Sequence, residues 1–226
     1  VGSTGNLTNL VVNFYVGLST GASVVIAQYY GAHNKDKIHQ AVHTSYMLAI
    51  VSGIIMMLFG LFFSYQCLDA IGVPHDILND ACLYMRLYFL GMIPGAIYNI
   101  GSGILRAVGD SKRPLYYLII CSIVNVVFDF VLVVILHKGI AGAAIATFIA
   151  QTVCAILVTL QLMFSKDVYQ LTLSKIKFHL PVLKKIVKIG APAGIQSTMY
   201  SIANIVLQTH INAFGTQTIA SSLCKD

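Results

Sequence analysis

Long stretches without a charged side chain alternate along the chain with short polar segments. The charge-free stretches cover residues 1–34, 38–68, 87–105, 114–128, 139–165 and 189–224. A helix needs about 20 apolar residues to cross the hydrocarbon core of a bilayer. These stretches lack the sustained apolar–polar alternation of membrane strands, and a helix satisfies its own backbone hydrogen bonds in lipid. The pattern therefore predicts transmembrane helices.

Six spans fit the pattern. They are placed at about 8–30, 41–67, 81–105, 115–136, 140–164 and 190–214. The third contains Arg86 near its start, and the fourth contains Asp129. Because the connections are mostly short, consecutive spans run in opposite directions. The predicted fold class is all-α, a polytopic transmembrane helical bundle.

Composition supports a membrane protein. Of 226 residues, 57% are hydrophobic and 10% are charged, whereas a soluble domain carries about 25% charged residues. Such a chain cannot cover a water-facing surface with charge. A soluble enzyme, a nucleic-acid-binding protein and a disordered tail are therefore excluded as descriptions of the whole chain.

The positive charges are concentrated at one end of the predicted bundle. The loops at the opposite end hold only Lys138. By the positive-inside rule the basic loops are cytoplasmic, so Val1 begins outside. A chain that opens outside on a span, without an initiator Met, leads us to expect an earlier helix and a longer membrane protein. The basic loops contain Lys35, Lys37, Arg106, Lys112, Arg113, Lys166, Lys175, Lys177, Lys184, Lys185 and Lys188.

The segment 166–188 differs from the other connections. It is basic and carries interleaved apolar residues, including Ile176, Phe178 and Leu180. A helix lying along the inner leaflet explains this pattern, and an ordinary cytoplasmic loop is the alternative. In either case the segment separates five spans from the sixth.

Small residues recur at the spacing that lets two helix backbones approach closely. The pairs are Gly17/Gly21, Gly91/Gly95 and Gly190/Gly194. The first pair also encloses Ser19 in a GxSxG pattern. A hydrolase would need a strand-to-helix turn with a His and acid partner, so helix packing is favoured.

Histidines and cysteines offer weaker signals. His39 and His43 are four residues apart, but a metal site needs further ligands nearby, and interfacial histidines are favoured. Cys67 and Cys82 flank one outer loop and could pair under oxidising conditions, whereas the other cysteines are expected to act as small apolar residues. Arg86 is expected to extend toward the outer surface, with pairing to an acidic residue as the alternative.

Asp129 is the one acidic residue well inside a span, and an ionisable group there is a functional candidate. Asn125 lies one turn away on the same face. Asp129 lies nine residues before Lys138 and Thr147 nine after it, so both are roughly 13 Å from the turn. Asn125 and Gln151 also lie at matching depth, since each is thirteen residues from Lys138. Such a cluster suits Na⁺ or a proton-carrying carboxylate; a structural polar cluster tying two helices together is the alternative.

Several segments resemble the multidrug and toxic compound extrusion (MATE) transporters. Residues 101–114, Gly-Ser-Gly-Ile-Leu-Arg-Ala-Val-Gly-Asp-Ser-Lys-Arg-Pro, resemble the family's cytoplasmic signature after its fourth helix. Further segments follow in the family's order. They are residues 21–32 (second helix), 125–129 (fifth), 139–144 (sixth), and 189–192 with 211–215 (seventh).

The resemblance implies twelve helices in two six-helix lobes. This chain would hold helices two to seven, without the first helix and the last five. Residues 1–165 would belong to the amino-terminal lobe, 166–188 would link the lobes, and 189–226 would begin the carboxy-terminal lobe.

The resemblance also implies a plasma-membrane antiporter, not an enzyme, that exports organic and often cationic compounds in exchange for Na⁺ or H⁺. It implies a cation site at Asn125, Asp129 and Thr147, with Asn99 and Gln151 as weaker candidates for the substrate cavity. We expect no cofactor, no nucleic-acid partner and a monomer in the bilayer. Pro94 and Pro192 are candidate bending points. An exporter of lipid-linked saccharides, a non-transporting scaffold subunit and an intramembrane hydrolase are the alternatives.

Overall fold

The computed structural model describes residues 2–70, 75–165 and 167–213. Within these ranges the chain is helical apart from its connections, which confirms the predicted all-α class. The α-helices are α1 (Gly2–Gly31), α2 (Lys35–Ala70), α3 (His75–Leu90), α4 (Met92–Ala107), α5 (Lys112–Asp129), α6 (Gly139–Phe164) and α7 (Leu180–Ala213). A π-helical segment, Phe130–Ile135, continues α5.

Within the described ranges, three helical stretches are long and apolar enough to cross a bilayer. They are Lys35–Gln66, Lys112–Ile135 and Gly139–Phe164. The pair α3–α4 makes a fourth span if its two halves are taken together. The chain is therefore a multi-pass membrane protein. Of the six predicted spans, those at 41–67, 115–136 and 140–164 meet this test among the described residues, as does the bent one at 81–105 when its halves are joined.

The predicted third span is bent. Its halves meet at Gly91 at an angle of 45°. Pro94 follows three residues later and has no N–H to donate to the carbonyl of Leu90, which weakens the helix at this point. The bend therefore lies beside the predicted bending point at Pro94. At Pro192, by contrast, α7 continues without a break.

Helices α1 and α7 approach each other through their glycines. Gly17 faces Gly194, and Gly21 faces Gly190. A Cβ added at Gly21 would lie 2.7 Å from the Cα of Gly190, so only glycine permits this approach. The packing role predicted for these two pairs is confirmed. Ser19, between them, donates its hydroxyl to the carbonyl of Asn99 at 2.6 Å and thus serves a contact between α1 and α4.

The loop between α4 and α5 explains part of the signature sequence. Gly109 has a φ of +91°, a conformation that glycine adopts without strain. The amide of Asp110 donates to the carbonyl of Leu105 at 2.9 Å and thereby closes the end of α4. The Asp110 carboxylate accepts from the amide of Arg113 at 3.2 Å and forms an ion pair with its guanidinium. The signature therefore fixes a tight turn between two spans.

Of the two interpretations of the basic linker, the structure favours a loop over a helix on the inner leaflet for residues 167–179. Helix α7 begins at Leu180, ten residues before the predicted start at 190, and residues 167–179 contain only a short 3₁₀ turn, Leu173–Lys175. Instead of lying as a helix on the inner leaflet, the segment 167–179 folds against α2. The amide of Thr172 donates to Nε2 of the buried His43 at 3.1 Å. The amide of His179 donates to Oγ1 of Thr44, also at 3.1 Å.

We expect this docked segment to loosen as the pH falls. Burial, Lys177 and His43 lower the pKa of His179 below its ordinary value. The undocked state therefore binds a proton more readily, so docking is strongest above about pH 6.5 and weakens as the pH falls through and below that value. Hydrogen exchange of residues 167–179 in the intact protein measures this. His179→Gln should reduce the pH dependence, whereas His137→Gln should leave it unchanged; equal behaviour of the two variants would contradict the assignment.

Two cysteines pair inside the bundle, contrary to the expectation that they act only as small apolar residues. Cys121 on α5 and Cys154 on α6 form a disulfide with their Cα atoms 5.9 Å apart. Cys82 is buried and contacts the hydroxyl of Ser64 at 3.4 Å. The side chain of Cys67 is outside the described residues, and so is the predicted pair of Cys67 with Cys82.

Candidate functional site

The disulfide fixes the register between the antiparallel helices α5 and α6. Asp129 lies eight residues after Cys121, and Thr147 lies seven before Cys154. At about 1.5 Å per residue these positions differ in depth by only ~1.5 Å. Asn125 and Gln151 lie four residues after Cys121 and three before Cys154. The register thus places the two pairs at matching depth, as the short turn at Lys138 predicts.

Asp129 has a carboxylate oxygen with no partner in the described part of the protein. Its Oδ1 atom is buried and makes no hydrogen bond there. The α-helix ends at this residue and continues as the π-helical segment, in which the amide of Leu136 donates to the carbonyl of Val131 at 2.9 Å. Such wide turns within helices occur frequently at functional sites. The backbone thus changes its geometry next to the buried charge.

Asn125 and Thr147 present oxygen atoms on the facing sides of the same two helices. Asn125 is four residues from Cys121 and shares its face of α5, and Thr147 is seven residues from Cys154 and shares its face of α6. Thr147 donates its hydroxyl hydrogen to the carbonyl of Ala143 at 3.0 Å. The lone pairs of its oxygen therefore remain available as acceptors.

Gln151 points toward the bend between α3 and α4. Its amide oxygen is buried without a hydrogen bond to a described residue. A Cβ added at Gly95 would lie 3.3 Å from that oxygen, and one at Gly91 would lie closer. The pair Gly91/Gly95 therefore makes room for a polar side chain instead of a helix backbone.

Tyr84 is an electrostatic neighbour of the site that the sequence did not indicate. It lies on α3, and its phenol is close enough to the Asp129 carboxylate for an electrostatic interaction. Helix α3 packs on α6, the partner of α5 in the hairpin that carries Asp129. The sequence signal was the pair Tyr84 and Tyr88 one turn apart, but the neighbour of α3 could not be read from the pattern.

Arg86 does not neutralise Asp129. Its Nε donates to Oγ of Ser64 on α2 at 3.4 Å, and its side chain is exposed. In the described ranges the ion pair found joins Arg113 and Asp110 instead. The carboxylate of Asp129 is therefore not held by a fixed countercharge from the described residues.

Asn99 is held within α4, away from Asp129. Its Nδ2 donates to the carbonyl of Gly95 at 2.8 Å, and its own carbonyl accepts from Ser19. An apolar cavity of about 640 Å³ lies between α2, α4 and α6, bordered by Pro94, Phe148 and Thr152 among others. Neither Asn99 nor Gln151 borders it. Asn99 and Gln151, the two residues predicted to line a substrate cavity, thus lie at helix contacts.

Taken together, the polar groups suit a small cation. They supply a carboxylate and a hydroxyl at one depth and an amide one helical turn away, and hard cations prefer such oxygen ligands. An unpaired carboxylate in a membrane is costly, and a bound cation or proton removes that cost. The Ser19 hydroxyl of the GxSxG pattern donates to the backbone carbonyl of Asn99, so this hydrogen is not directed at a base.

Comparison with known proteins places these helices in a family. The profile of the family described as MatE matches residues 1–131. The probable multidrug resistance protein YoeA of Bacillus subtilis (strain 168) is 28% identical over 221 residues, which is 94% of this chain and 47% of YoeA. The chain therefore spans about half the length of the curated relatives it matches.

Solved structures agree with the sequence comparison. A multidrug resistance MATE family transporter of the MOP superfamily in an outward-facing conformation superposes with a TM-score of 0.85 and 26% identity, over 92% of this chain and 47% of that one. One in an inward-facing conformation gives 0.83 and 26%, over 89% and 46%. Since the family profile also covers more than half of the sequence, this chain belongs to the MATE family of membrane transporters.

Proposed function

We propose that the protein is a secondary antiporter that exports organic compounds, often cationic ones, in exchange for Na⁺ or H⁺. It acts in the plasma membrane with its basic loops in the cytoplasm. The observation that carries the proposal is the buried oxygen of Asp129, which has no partner among the described residues. The relatives named as multidrug resistance proteins support an organic cargo.

The coupling cation binds between α5 and α6 in this proposal. Asp129 supplies the charge, Thr147 supplies a neutral oxygen at the same depth, and Asn125 supplies another from one helical turn away. Tyr84, on α3, interacts electrostatically with Asp129. The electrostatics of the site therefore depend on a helix outside the α5–α6 hairpin and on how that helix packs.

The bend at Gly91 offers a route from the cation site to helix packing. Gln151, at the depth of Asn125, reaches this bend, and the bend joins the two halves of the third span. A cation that binds more tightly to one arrangement of these helices shifts the protein toward it, and equal binding to both would drive nothing. Relatives solved in inward-facing and outward-facing conformations support such a two-state cycle.

Transport by the intact protein in liposomes tests the proposal. Ethidium serves as the fluorescent organic cation, and the Na⁺ gradient and the pH gradient are varied separately. We expect export to follow one of the two gradients and to stop when that gradient is removed. Ethidium flux that is the same with both gradients absent would contradict the antiport mechanism.

Thr147→Val should lower the affinity for the coupling cation roughly tenfold, because it removes one neutral oxygen and keeps the shape of the side chain. The concentration of the coupling cation at half-maximal export measures the effect. Thr152→Val is the matched control, since both threonines lie on α6 and donate to the carbonyl four residues earlier, at 3.0 and 2.8 Å. Equal losses in the two variants would mean that Thr147 acts only through the helix.

A further inference from the structure

Two adjoining cavities lie at the basic end of the bundle, far from Asp129. Their volumes are about 600 and 380 Å³. Both lie between the first turns of α2 and the segment 167–179, and they share Asp36, His39 and Lys175. We call the larger one the basic cavity.

Basic side chains dominate the lining of the basic cavity. Lys175, Lys177, His39 and His179 border it, and Asp36 is the one carboxylate among its lining residues. Neither lysine forms an ion pair with a described carboxylate. The ion pair found within the described ranges joins Arg113 and Asp110. Like charges brought together without enough countercharge repel each other, and a bound anion removes this repulsion.

The protein holds these groups in place through hydrogen bonds. His39 stacks on the buried His43 with ring centroids 4.0 Å apart. The Nδ1 atom of His179 lies 3.3 Å from Oγ1 of Thr44, and the residue borders the cavity. Thr172, three residues before Lys175, bonds to His43. The cavity wall is therefore part of the docked segment.

We propose that the basic cavity binds a phosphate group. A phosphate offers several acceptor oxygens; the ammonium groups here are donors of matching charge, and the N–H of a neutral imidazole is a further donor. The cavity lies where a span leaves the membrane, and basic pockets between helices at that level take phospholipid headgroups. A free phosphate has the same chemistry. This inference does not depend on the proposed transport cycle, since it concerns a different end of the bundle.

A bound phosphate would join α2 to the segment that leads into α7. Its oxygens would contact Lys175 and Lys177 on one side and His39 on the other. The docking of residues 167–179 would then be stronger with the anion than without it. The site should therefore be detectable as ligand-dependent protection of this segment, independently of any transport.

The test uses the intact protein in nanodiscs of phosphatidylcholine. Inorganic phosphate is added in one series, and phosphatidylglycerol replaces part of the lipid in another. Hydrogen exchange of residues 167–179 and the unfolding temperature are recorded in both. We expect protection in at least one series and about 25-fold weaker apparent binding in the double variant Lys175→Gln/Lys177→Gln, from about fivefold per lysine.

Lys184→Gln/Lys188→Gln is the matched control. It removes the same charge from exposed positions of α7 that do not border the cavity, and it should bind as the wild type does. Protection by phosphatidylglycerol alone assigns the site to a lipid headgroup, and protection by inorganic phosphate assigns it to the free anion. Absence of protection in both series, or equal weakening in the two double variants, would overturn the proposal.

Discussion

Asp129→Asn should abolish gradient-driven export by the intact protein while leaving it folded in the membrane. Asparagine keeps the size of the side chain but removes the charge that attracts the coupling cation. We expect the rate of ethidium export to fall on the order of 100-fold, as for loss of a charged partner in a desolvated site. Proteoliposome flux under the effective gradient measures the loss.

The unfolding temperature of Asp129→Asn distinguishes a cation site from a structural polar cluster. Oδ1 of Asp129 has no hydrogen bond to a described residue, so the neutral amide should leave the unfolding temperature unchanged or raise it, because a buried charge is costly. A cluster that ties α5 to α6 predicts the opposite, a clear drop in that temperature.

Asp167→Asn is the control for charge alone. Asp167 is exposed in the segment that follows α6, where its carboxylate accepts from the hydroxyl of Ser165 at 3.4 Å. Its replacement removes the same charge from the chain and should leave export unchanged. Full gradient-dependent export by Asp129→Asn would exclude this residue as the cation site.

The pairing of α5 with α6 could be derived from the sequence because a short turn fixes the register of a helical hairpin. Each residue adds about 1.5 Å on both sides of the turn, so depth follows from counting. The same count places Cys121 and Cys154 at one level, 17 residues before and 16 after Lys138. The sequence therefore predicts that the two cysteines lie at one level, but it does not show whether their side chains face each other.

Contacts between helices that are distant in sequence could not be derived in this way. Tyr84 comes within electrostatic reach of Asp129 because α3 packs on α6, and no periodic pattern records which helices are neighbours. The docked segment is a similar case, since His43 and Thr172 are 129 residues apart in the chain. The charge pattern of 166–188 fits a helix on the membrane surface as well as it fits a loop. The hydrogen bonds of Thr172 and His179 to α2 favour the loop.

Gly21→Ala should destabilise the intact protein by about 3 kcal/mol, at the upper end of the cost of overpacking. The added methyl group would lie 2.7 Å from the Cα of Gly190, and this neighbour is backbone, which cannot rotate away. Helices α1 and α7 would have to separate, and the adjacent contact of Gly17 with Gly194 would be lost as well. Thermal unfolding in detergent, followed by loss of helical signal, measures the change.

Gly31→Ala isolates this steric effect from the intrinsic preference for alanine. Alanine in a helix is favoured over glycine by about 1 kcal/mol, so the same substitution without a clash should not destabilise. Gly31 ends α1, and a Cβ added there meets nothing within 4 Å. A loss at Gly21 beside none at Gly31 would show that α1 and α7 touch through their backbones in the membrane, whereas equal stability of both variants would mean that the helices are farther apart than the glycine pairs imply.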